Sequence, residues 1–249
     1  MYRVQYACVC QKGKIRKTNQ DNITWKECCL PPGDDGFTDP VSGSEPVAGS
    51  MLFGVFDGMG GEERGEAAAY IAARTAAERS PAESAAFLPA LCHDINREIC
   101  AFTLENKLSV CGTTAAMLLI GPDSVSGCNI GDSRIYRCKG HILTQLSEDH
   151  VLPMYPGRKP PLTQFLGIPE TEMLIEPFCF TRKTVQAGTY LICSDGLTDM
   201  VPDSVMENLL SESAGIPEKA KRLLDAALSA GGRDNISFIL LDITGTVNT

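Results

Sequence analysis

The fold follows from the stretch Met51-Leu52-Phe53-Gly54-Val55-Phe56-Asp57-Gly58, in which an apolar run leads directly into an aspartate and a glycine. The same order returns at Tyr190-Leu191-Ile192-Cys193-Ser194-Asp195-Gly196. A short apolar run that stops at a turn signal predicts a buried strand, and a helix-like segment follows each of the two runs. We therefore expect Asp57 and Asp195 to stand where strands end.

Two more aspartates occupy sharp turns beside apolar runs. Asp132 follows Cys128-Asn129-Ile130-Gly131, and Asp234 precedes the apolar run that begins at Ile236. Four carboxylates on one sheet edge would repel one another at pH 7, so their clustering requires a positive partner. Mg²⁺ and Mn²⁺ prefer carboxylate, carbonyl and water oxygens, whereas the chain has only three histidines with which to build a zinc site. The pattern predicts a site for Mn²⁺ or Mg²⁺.

Each acid alone is weak evidence, because Asp-Gly after a strand is also the ordinary signal of a tight turn. Gly58 and Gly196 remove side-chain bulk, and we expect the main chain to turn sharply at both positions. At Gly58 the carbonyl is also a candidate metal ligand. The recurrence of an acid at four such places favours a metal site over turn chemistry alone.

The composition predicts one globular domain covering residues 1–249, with 43% hydrophobic residues. Within it we expect an exposed loop at 30–50 and a short, proline-rich flap at 150–171. The net charge of −9 argues against nucleic-acid binding, which needs Lys and Arg against phosphates. No apolar run approaches the ~18 residues of a membrane span, and the N-terminus alternates like a strand rather than like a signal peptide. The expectation is a soluble, cytoplasmic protein.

Eleven cysteines are scattered mainly through strand-like runs, without a Cys-x-x-Cys pair. A thiol in a strand acts as a small apolar side chain, so we expect reduced and mostly buried cysteines in a reducing compartment. A redox or metal role for them is the less favoured alternative.

Periodicity predicts ten strands, at 2–10, 22–28, 51–56, 113–120, 124–130, 133–138, 141–146, 173–180, 189–194 and 235–243. Helical spacing predicts an alanine-rich helix that ends near Ser80, a second helix after the capping box Ser80-Pro81-Ala82-Glu83, and two more at 203–211 and 217–230. The strands from 113 to 146 read as an antiparallel meander. Since the helices occur in two pairs, we predict an α+β fold with two sheets and the helices outside.

A second polar group lies upstream, at Arg16 and in Asn19-Gln20-Asp21. Arg16 can present its planar guanidinium to a phosphoryl group, which accepts two parallel hydrogen bonds. Asp21, if it lies near the metals, can orient the water around them. The alternative is a solvated polar turn in which Arg16 pairs with any surface acid.

Seven short motifs then occur in a fixed order along the chain. They are Arg16-x-x-Asn19-Gln20-Asp21, Asp57-Gly58-Met59-Gly60-Gly61, Cys111-Gly112-Thr113-Thr114, Gly131-Asp132-Ser133-Arg134, Leu162-Thr163-Gln164-Phe165-Leu166-Gly167, Ser194-Asp195-Gly196-Leu197 and Gly232-Arg233-Asp234-Asn235. In this order and spacing the chain resembles the metal-dependent protein Ser/Thr phosphatases of type 2C, the PPM family, in their compact bacterial form. The resemblance covers residues 3–243. It implies a four-layer α-β-β-α sandwich of two antiparallel sheets flanked by helix pairs, with the site at one edge.

The resemblance also implies metal ligands at the matched positions. Asp57 would bridge two ions, and the Gly58 carbonyl would ligate one of them. Asp195 and Asp234 would hold the other ion. Asp132, together with Asp195, would match the third-metal site of bacterial relatives. The implied cofactors are therefore two Mn²⁺ or Mg²⁺ ions, with a third as an option.

The implied activity is hydrolysis of phosphoserine and phosphothreonine in proteins by metal-activated water. Arg16 would match the phosphate-binding arginine, and Asp21 would belong to the shell around the metal waters. The substrates would be phosphoproteins made by Ser/Thr kinases. Met59 stands where animal members often carry a histidine, so the proton for the leaving oxygen would come from water or another group.

Two alternatives stay open at this point. A weakly active regulatory scaffold would keep the fold and bind phosphoproteins, and loss of a metal aspartate would be its sign. A phosphatase devoted to one regulatory protein would be expected to carry sensor domains, for which 249 residues leave no room. Phosphate release with Mn²⁺ against a chelator control separates the enzyme from the scaffold. The sequence leaves the oligomeric state open.

Overall fold

The computed structural model describes residues 2–59, 64–153 and 160–244, in which the chain forms thirteen strands and five helices. The strands are β1 Arg3–Gln11, β2 Asp21–Trp25, β3 Cys28–Cys29, β4 Val41–Pro46, β5 Met51–Met59, β6 Gly112–Thr113, β7 Ala115–Ile120, β8 Val125–Ile130, β9 Arg134–Lys139, β10 Ile142–Gln145, β11 Phe178–Arg182, β12 Gly188–Cys193 and β13 Ile236–Thr244. The helices are α1 Gly65–Glu78, α2 Phe87–Glu105, α3 Asp195–Thr198, α4 Asp203–Ser211 and α5 Ile216–Ser229.

The strands form two antiparallel sheets. The first sheet has the order β10-β9-β12-β13-β1-β4, and the second has the order β11-β8-β7-β5-β2-β3, with β6 beside β5. Helices α1 and α2 cover the second sheet, while α4 and α5 cover the first. The predicted α+β class is confirmed, and the layers follow the order helix, sheet, sheet, helix.

Three apolar layers hold these four structural layers together. Alternate residues of β5 divide between two of them, because successive side chains of a strand point to opposite faces. Phe53 and Val55 pack between the sheets, whereas Leu52 and Phe56 pack against α1 and α2. Each of these fully buried side chains contributes roughly 1.5–3 kcal/mol of burial free energy. Strands apolar on both faces thus fix the two sheets in the middle of the molecule.

The prediction of a loop over 30–50 is wrong in its second half. Residues Val41–Pro46 form β4, which pairs with β1 at the edge of the first sheet. Its residues alternate between half-buried and exposed, so the strand has no apolar face that a sequence pattern could show. An edge strand needs only one ladder of hydrogen bonds and tolerates polar residues and proline. Gly43 allows the Tyr6 ring to cross β4, since a Cβ at residue 43 would lie 2.3 Å from the Tyr6 hydroxyl oxygen.

Two further expectations are wrong, one about the cap of a helix and one about which sheet each strand joins. Helix α2 begins at Phe87 without a side-chain capping bond, and Glu83 accepts a hydrogen bond from the Ser124 hydroxyl (2.9 Å) instead of capping the helix. The predicted meander is divided between the sheets, because β8 belongs to the second sheet and β9 to the first. The chain crosses from one sheet to the other in the short turn 131–133.

One end of the sandwich collects the loops that carry the candidate residues. In the first sheet β1 and β12 end there, while β9 and β13 begin there, as the pairs Gln11–Ile236 and Cys193–Arg134 show. In the second sheet the start of β2 lies opposite the last third of β5. Antiparallel neighbours alternate in direction, so these separate stretches of sequence meet at the same end. Among the described helices, none has both the length and the apolarity required to cross a membrane.

Candidate metal centre

Asp57 and Asp21 face each other across the second sheet. Asp57 lies inside β5, directly opposite Asp21 at the start of β2. The strand continues to Met59, so Asp57 is held in a ladder rather than in the turn that the sequence predicts. Thr114 holds the Asp57 backbone on the side of β5 away from Asp21. The Asp57 N–H donates to Thr114 Oγ1 (3.2 Å), and the Thr114 N–H donates to the Asp57 carbonyl (2.9 Å). Both carboxylates therefore stand on rigid backbone.

The Asp21 carboxyl shows that acids from distant parts of the chain are close together. Burial raises the pKa of the Asp21 carboxyl well above its ordinary value, and the negative charges of Asp57 and Asp234 raise it further. Ser194 opposes this effect, because its hydroxyl donates to Asp21 Oδ2 (3.0 Å). Since Asp21 starts β2 and Ser194 follows β12, this bond also joins the second sheet to the first.

Asp195 and Asp132 are buried at the same end of the sandwich. Asp195 lies just beyond β12 of the first sheet, and Asp132 lies at the crossing between the sheets. Asp195 is the first residue of α3, directly after β12. Asp132 lies in the turn 131–133 that leads into β9. The β9–β12 register places Arg134 opposite Cys193, and the two acid-bearing turns therefore adjoin beyond these strand ends.

A hydroxyl pair connects the Asp132 turn to Asp57. Ser133 Oγ and Thr114 Oγ1 are 2.6 Å apart, and Thr114 is the residue that holds the Asp57 N–H. The chain Asp57–Thr114–Ser133 is buried except for Asp57, which is half-buried. The hydroxyls thereby set the spacing between the acid in β5 and the turn that carries Asp132.

Asp234 lies before β13 and is paired with Arg16. The Arg16 guanidinium donates to Asp234 Oδ2 at 2.6 Å, across 218 positions of sequence. About half of the Arg16 side chain is exposed (48%), so an ion pair of this kind contributes only about 0–1 kcal/mol. The structure thus brings Arg16 to the acids, where it pairs with one of them.

Asn235 holds the loop that carries Arg16. Its Oδ1 accepts the Gln20 N–H (2.9 Å), and its Nδ2 donates to the carbonyls of Lys12 (2.9 Å) and Thr18 (3.0 Å). The side chain is buried. One amide therefore fastens both ends of the stretch between β1 and β2, and Arg16 projects from its middle.

Gly58 and Gly196 are required by close approach and not by sharp turns. Neither has a positive φ, contrary to the expectation of a turn at both positions. A Cβ at Gly58 would lie 2.2 Å from the Gly65 carbonyl oxygen and 2.4 Å from that of Gln20. A Cβ at Gly196 would lie 1.8 Å from the Asn235 carbonyl oxygen. In both places an acid-bearing segment lies directly against the backbone of a neighbouring element.

The acids fit a hard divalent cation in donor type and in backbone placement. All candidate side-chain donors are carboxylate oxygens, which Mg²⁺ and Mn²⁺ prefer. Their side-chain orientations do not yet form a ligand set: among the described residues, no three His, Cys, Asp or Glu side chains are grouped so that they could hold an ion.

Several residues that support the centre were not singled out individually by the sequence. Asn235 fastens Gln20, Ser194 donates to Asp21, and Thr114 ties β5 to the crossing turn. All four of Gln20, Thr114, Ser194 and Asn235 belong to the quoted motifs, and these motifs are the only sequence signal for them. Their hydrogen-bond partners lie far away in sequence, so local pattern alone predicts no role for them.

The flap at 150–171 is attached to the centre at its base. The Gly131 N–H donates to His150 Nδ1 (3.2 Å), and the His150 N–H donates to the Gly131 carbonyl (2.9 Å). Isolated bridges join Val151 to Leu162 and Thr113 to Leu166. Gly60 and Gly61 of the second motif, and the flap segment 154–159, lie outside the described residues.

A family model described as protein phosphatase 2C matches residues 34–230 of this chain. This range contains Asp57, Asp132 and Asp195. A serine/threonine phosphatase, stp, of Listeria monocytogenes is 34% identical over 211 residues, which are 76% of this chain and 82% of the relative. The serine/threonine protein phosphatase PstP of Mycobacterium tuberculosis is 27% identical over 256 residues, which are 96% of this chain and 45% of the relative.

Solved structures give likenesses over nearly the whole chain. Serine/threonine phosphatase Stp1 from Staphylococcus aureus superposes with a TM-score of 0.77 and 25% identity, covering 98% of this chain and 96% of Stp1. The catalytic domain of serine threonine protein phosphatase PstP, in complex with 2 manganese ions, gives a TM-score of 0.77 and 25% identity, covering 98% of this chain and 100% of that domain.

Proposed function

The chain belongs to the protein phosphatase 2C family and is a metal-dependent protein phosphatase, and we propose that it removes phosphate from phosphoserine and phosphothreonine in proteins at the acidic end of the sandwich. The strongest support within the molecule is that carboxylates from both sheets converge there beside Arg16, as the raised pKa of the Asp21 carboxyl indicates. The resemblance noted in the seven motifs is confirmed at the level of the family.

For the metal ligands we propose the assignment that the resemblance implies. Asp57 and the Gly58 carbonyl would hold one ion, and Asp195 and Asp234, with Asp57, would hold the other. Asp132 with Asp195 would provide a third position. Mn²⁺ or Mg²⁺ suits these oxygen donors. When bound, the ions supply a water molecule that is nucleophilic at neutral pH, together with neutralisation of the phosphoryl charge.

Arg16 is the residue that we propose binds the phosphoryl group. The ion pair in the structure keeps the guanidinium at the acidic end, and Asn235 holds the loop from which it projects. Released from Asp234, its planar fork can donate two parallel hydrogen bonds to phosphoryl oxygens. The residue thereby changes from a countercharge for Asp234 into a substrate ligand.

Asp21 positions the carboxylates around it. It faces Asp57 across the β2–β5 ladder and accepts the Ser194 hydroxyl, so it contacts the elements of both Asp57 and Asp195. We assign it to the shell around the metal waters. Met59 cannot donate a proton, and the leaving serine or threonine oxygen takes its proton from solvent in this scheme.

We also propose the extent of the domain, the source of its substrates and its location. Residues 1–249 act as one catalytic domain, because the acids come from both sheets and from the crossing between them. Its substrates are products of Ser/Thr kinases. We place it in the cytoplasm on the chemistry of its cysteines, since all eleven are thiols and seven are buried, among them Cys8, Cys10 and Cys193.

Substitution of single acids tests this function. In Mn²⁺, Asp57→Asn and Asp234→Asn are expected to reduce phosphate release from a phosphothreonine peptide by at least about 100-fold, because each removes a ligand of the catalytic ions. Arg16→Ala is expected to raise KM more than it lowers kcat. Asp225→Asn, on the exposed face of α5, is the matched control and keeps native turnover.

The same assay separates the enzyme from the scaffold. Native turnover in Asp57→Asn would refute the metal assignment. A wild-type chain that binds the phosphopeptide with Mn²⁺ present but releases no phosphate would be the regulatory scaffold. Circular dichroism spectra of the variants verify that they are folded.

A further inference from the structure

Three thiols form a row at the opposite edge of the second sheet from β2. Cys179 on β11 is exposed, and its Sγ lies 2.9 Å from Sγ of Cys128 on β8. Cys128 is fully buried, and its Sγ lies 3.6 Å from Sγ of the buried Cys92 on α2. None of these residues belongs to the acidic end of the sandwich. The row leads from the exposed edge of the sheet, along its helix-facing side, to α2.

The register makes the outer two thiols competent to form a disulfide. Cys179 and Cys128 are direct partners in the antiparallel β8–β11 pair. Directly opposed residues of such a pair have Cα atoms about 4.5–5.5 Å apart, within the range of about 4.4–6.8 Å that disulfides require. The sulfurs need to approach by less than about 1 Å to reach the bond length of about 2.05 Å. Closure therefore requires side-chain rotation and no movement of the strands.

The two thiols differ in access and in acidity. Strand β11 is the edge strand and Cys179 is exposed to small oxidants, whereas Cys128 is buried. The hydrogen bond between them lowers the pKa of Cys179, against an opposing effect of burial, and raises the pKa of Cys128. Cys179 is therefore the better nucleophile, and Cys128 retains the proton.

We propose that Cys179 and Cys128 are a dithiol site for oxidation by peroxides, a modification site separate from the metal centre. The Cys179 thiolate attacks one oxygen of hydrogen peroxide, which breaks the O–O bond and gives a sulfenic acid and hydroxide. The Cys128 sulfur then attacks Cys179 Sγ and displaces the hydroxyl group. The Cys128 proton ends on that leaving oxygen, and the proton that Cys179 released neutralises the first hydroxide, so two thiols and one peroxide give one disulfide and two waters. A small dithiol reverses the reaction.

Peptide mapping of the full chain tests the proposal independently of phosphatase activity. The protein is treated with about one equivalent of hydrogen peroxide in the presence of a metal chelator, alkylated, and digested without reduction. The expected product is a Cys128–Cys179 cross-linked peptide that dithiothreitol removes. The apparent melting temperature is expected to rise by roughly 5–10 °C on oxidation, because the cross-link restricts the unfolded chain.

Variants decide which thiols are responsible. Cys179→Ser, at an exposed position that tolerates a polar group, should abolish both the cross-link and the rise in melting temperature. Cys28→Ser removes the other exposed cysteine and should leave both unchanged. A Cys92–Cys128 or Cys28–Cys29 disulfide in place of the expected one, a Cys179 found only as sulfinic acid, or a chain unaltered by peroxide would each overturn the proposal.

Discussion

Replacement of Asn235 by alanine tests how the loop that carries Arg16 is held. The amide makes three hydrogen bonds, at 2.9, 2.9 and 3.0 Å, to main-chain groups of Gln20, Lys12 and Thr18. Each contributes about 0.5–1.5 kcal/mol net, and a buried group left without a partner costs about 1–3 kcal/mol. Since solvent can reach part of this loop, we expect the free energy of unfolding to fall by about 3 kcal/mol.

The same substitution is expected to weaken phosphate binding. Once its anchor is lost, the Arg16 guanidinium is no longer directed at the acidic end, and one charge-assisted contact corresponds to roughly a tenfold change in affinity. Urea unfolding measures the stability, and inhibition by inorganic phosphate measures the affinity. Asn96→Ala is the matched control, because this buried amide also makes three hydrogen bonds, to the main chain of Gly167 and Ile168.

The two variants should share a stability loss but differ in phosphate inhibition. Equal weakening of inhibition in both would show that destabilisation alone is responsible. An Asn235→Ala protein with native stability and native inhibition would refute the reasoning that this amide positions Arg16.

Two further substitutions test the close contacts around the acids. Gly196→Ala places a Cβ 1.8 Å from the Asn235 carbonyl oxygen and should lower the free energy of unfolding by about 3 kcal/mol or more. The control Gly215→Ala, whose new Cβ has Pro217 Cδ as its nearest neighbour at 3.8 Å, should change it by less than about 0.5 kcal/mol. Equal melting temperatures of the two variants would contradict the packing at Gly196. Ser194→Ala removes the hydroxyl that joins Asp21 to the first sheet and should lower the free energy of unfolding, measured in urea, by about 1–3 kcal/mol. A loss below about 0.5 kcal/mol would show that the fold does not depend on this bond.

Much of the fold could be predicted because its strands are apolar on both faces and its turns are marked by Gly and Asp. Helices α4 and α5 were located to within a residue or two, and so was β13. Strand β4 was missed because an edge strand with one half-buried face carries no hydrophobic signal. The crossing at 131–133 was missed because periodicity shows strands but not the sheet to which each belongs.

The candidate site could be predicted as a set of residues but not as a set of contacts. The sequence predicts turns at Gly58 and Gly196, whereas the structure uses both for close approach to backbone atoms of neighbouring elements. Arg16 was given two interpretations, a phosphate ligand or a partner of any surface acid, and the structure pairs it with Asp234. Such partners are set by tertiary packing, which no local pattern contains.

The central claim is that acids from both sheets bind a pair of divalent ions, and a Mn²⁺ titration followed by electron paramagnetic resonance tests it most directly. The signal of free Mn²⁺ reports how many ions each chain removes from solution. The account predicts two bound ions in the wild type and in Asp225→Asn, at most one in Asp57→Asn, and a higher melting temperature only where the ions bind. A wild-type chain that binds no Mn²⁺, or an Asp57→Asn chain that still binds two ions with native affinity, would contradict it.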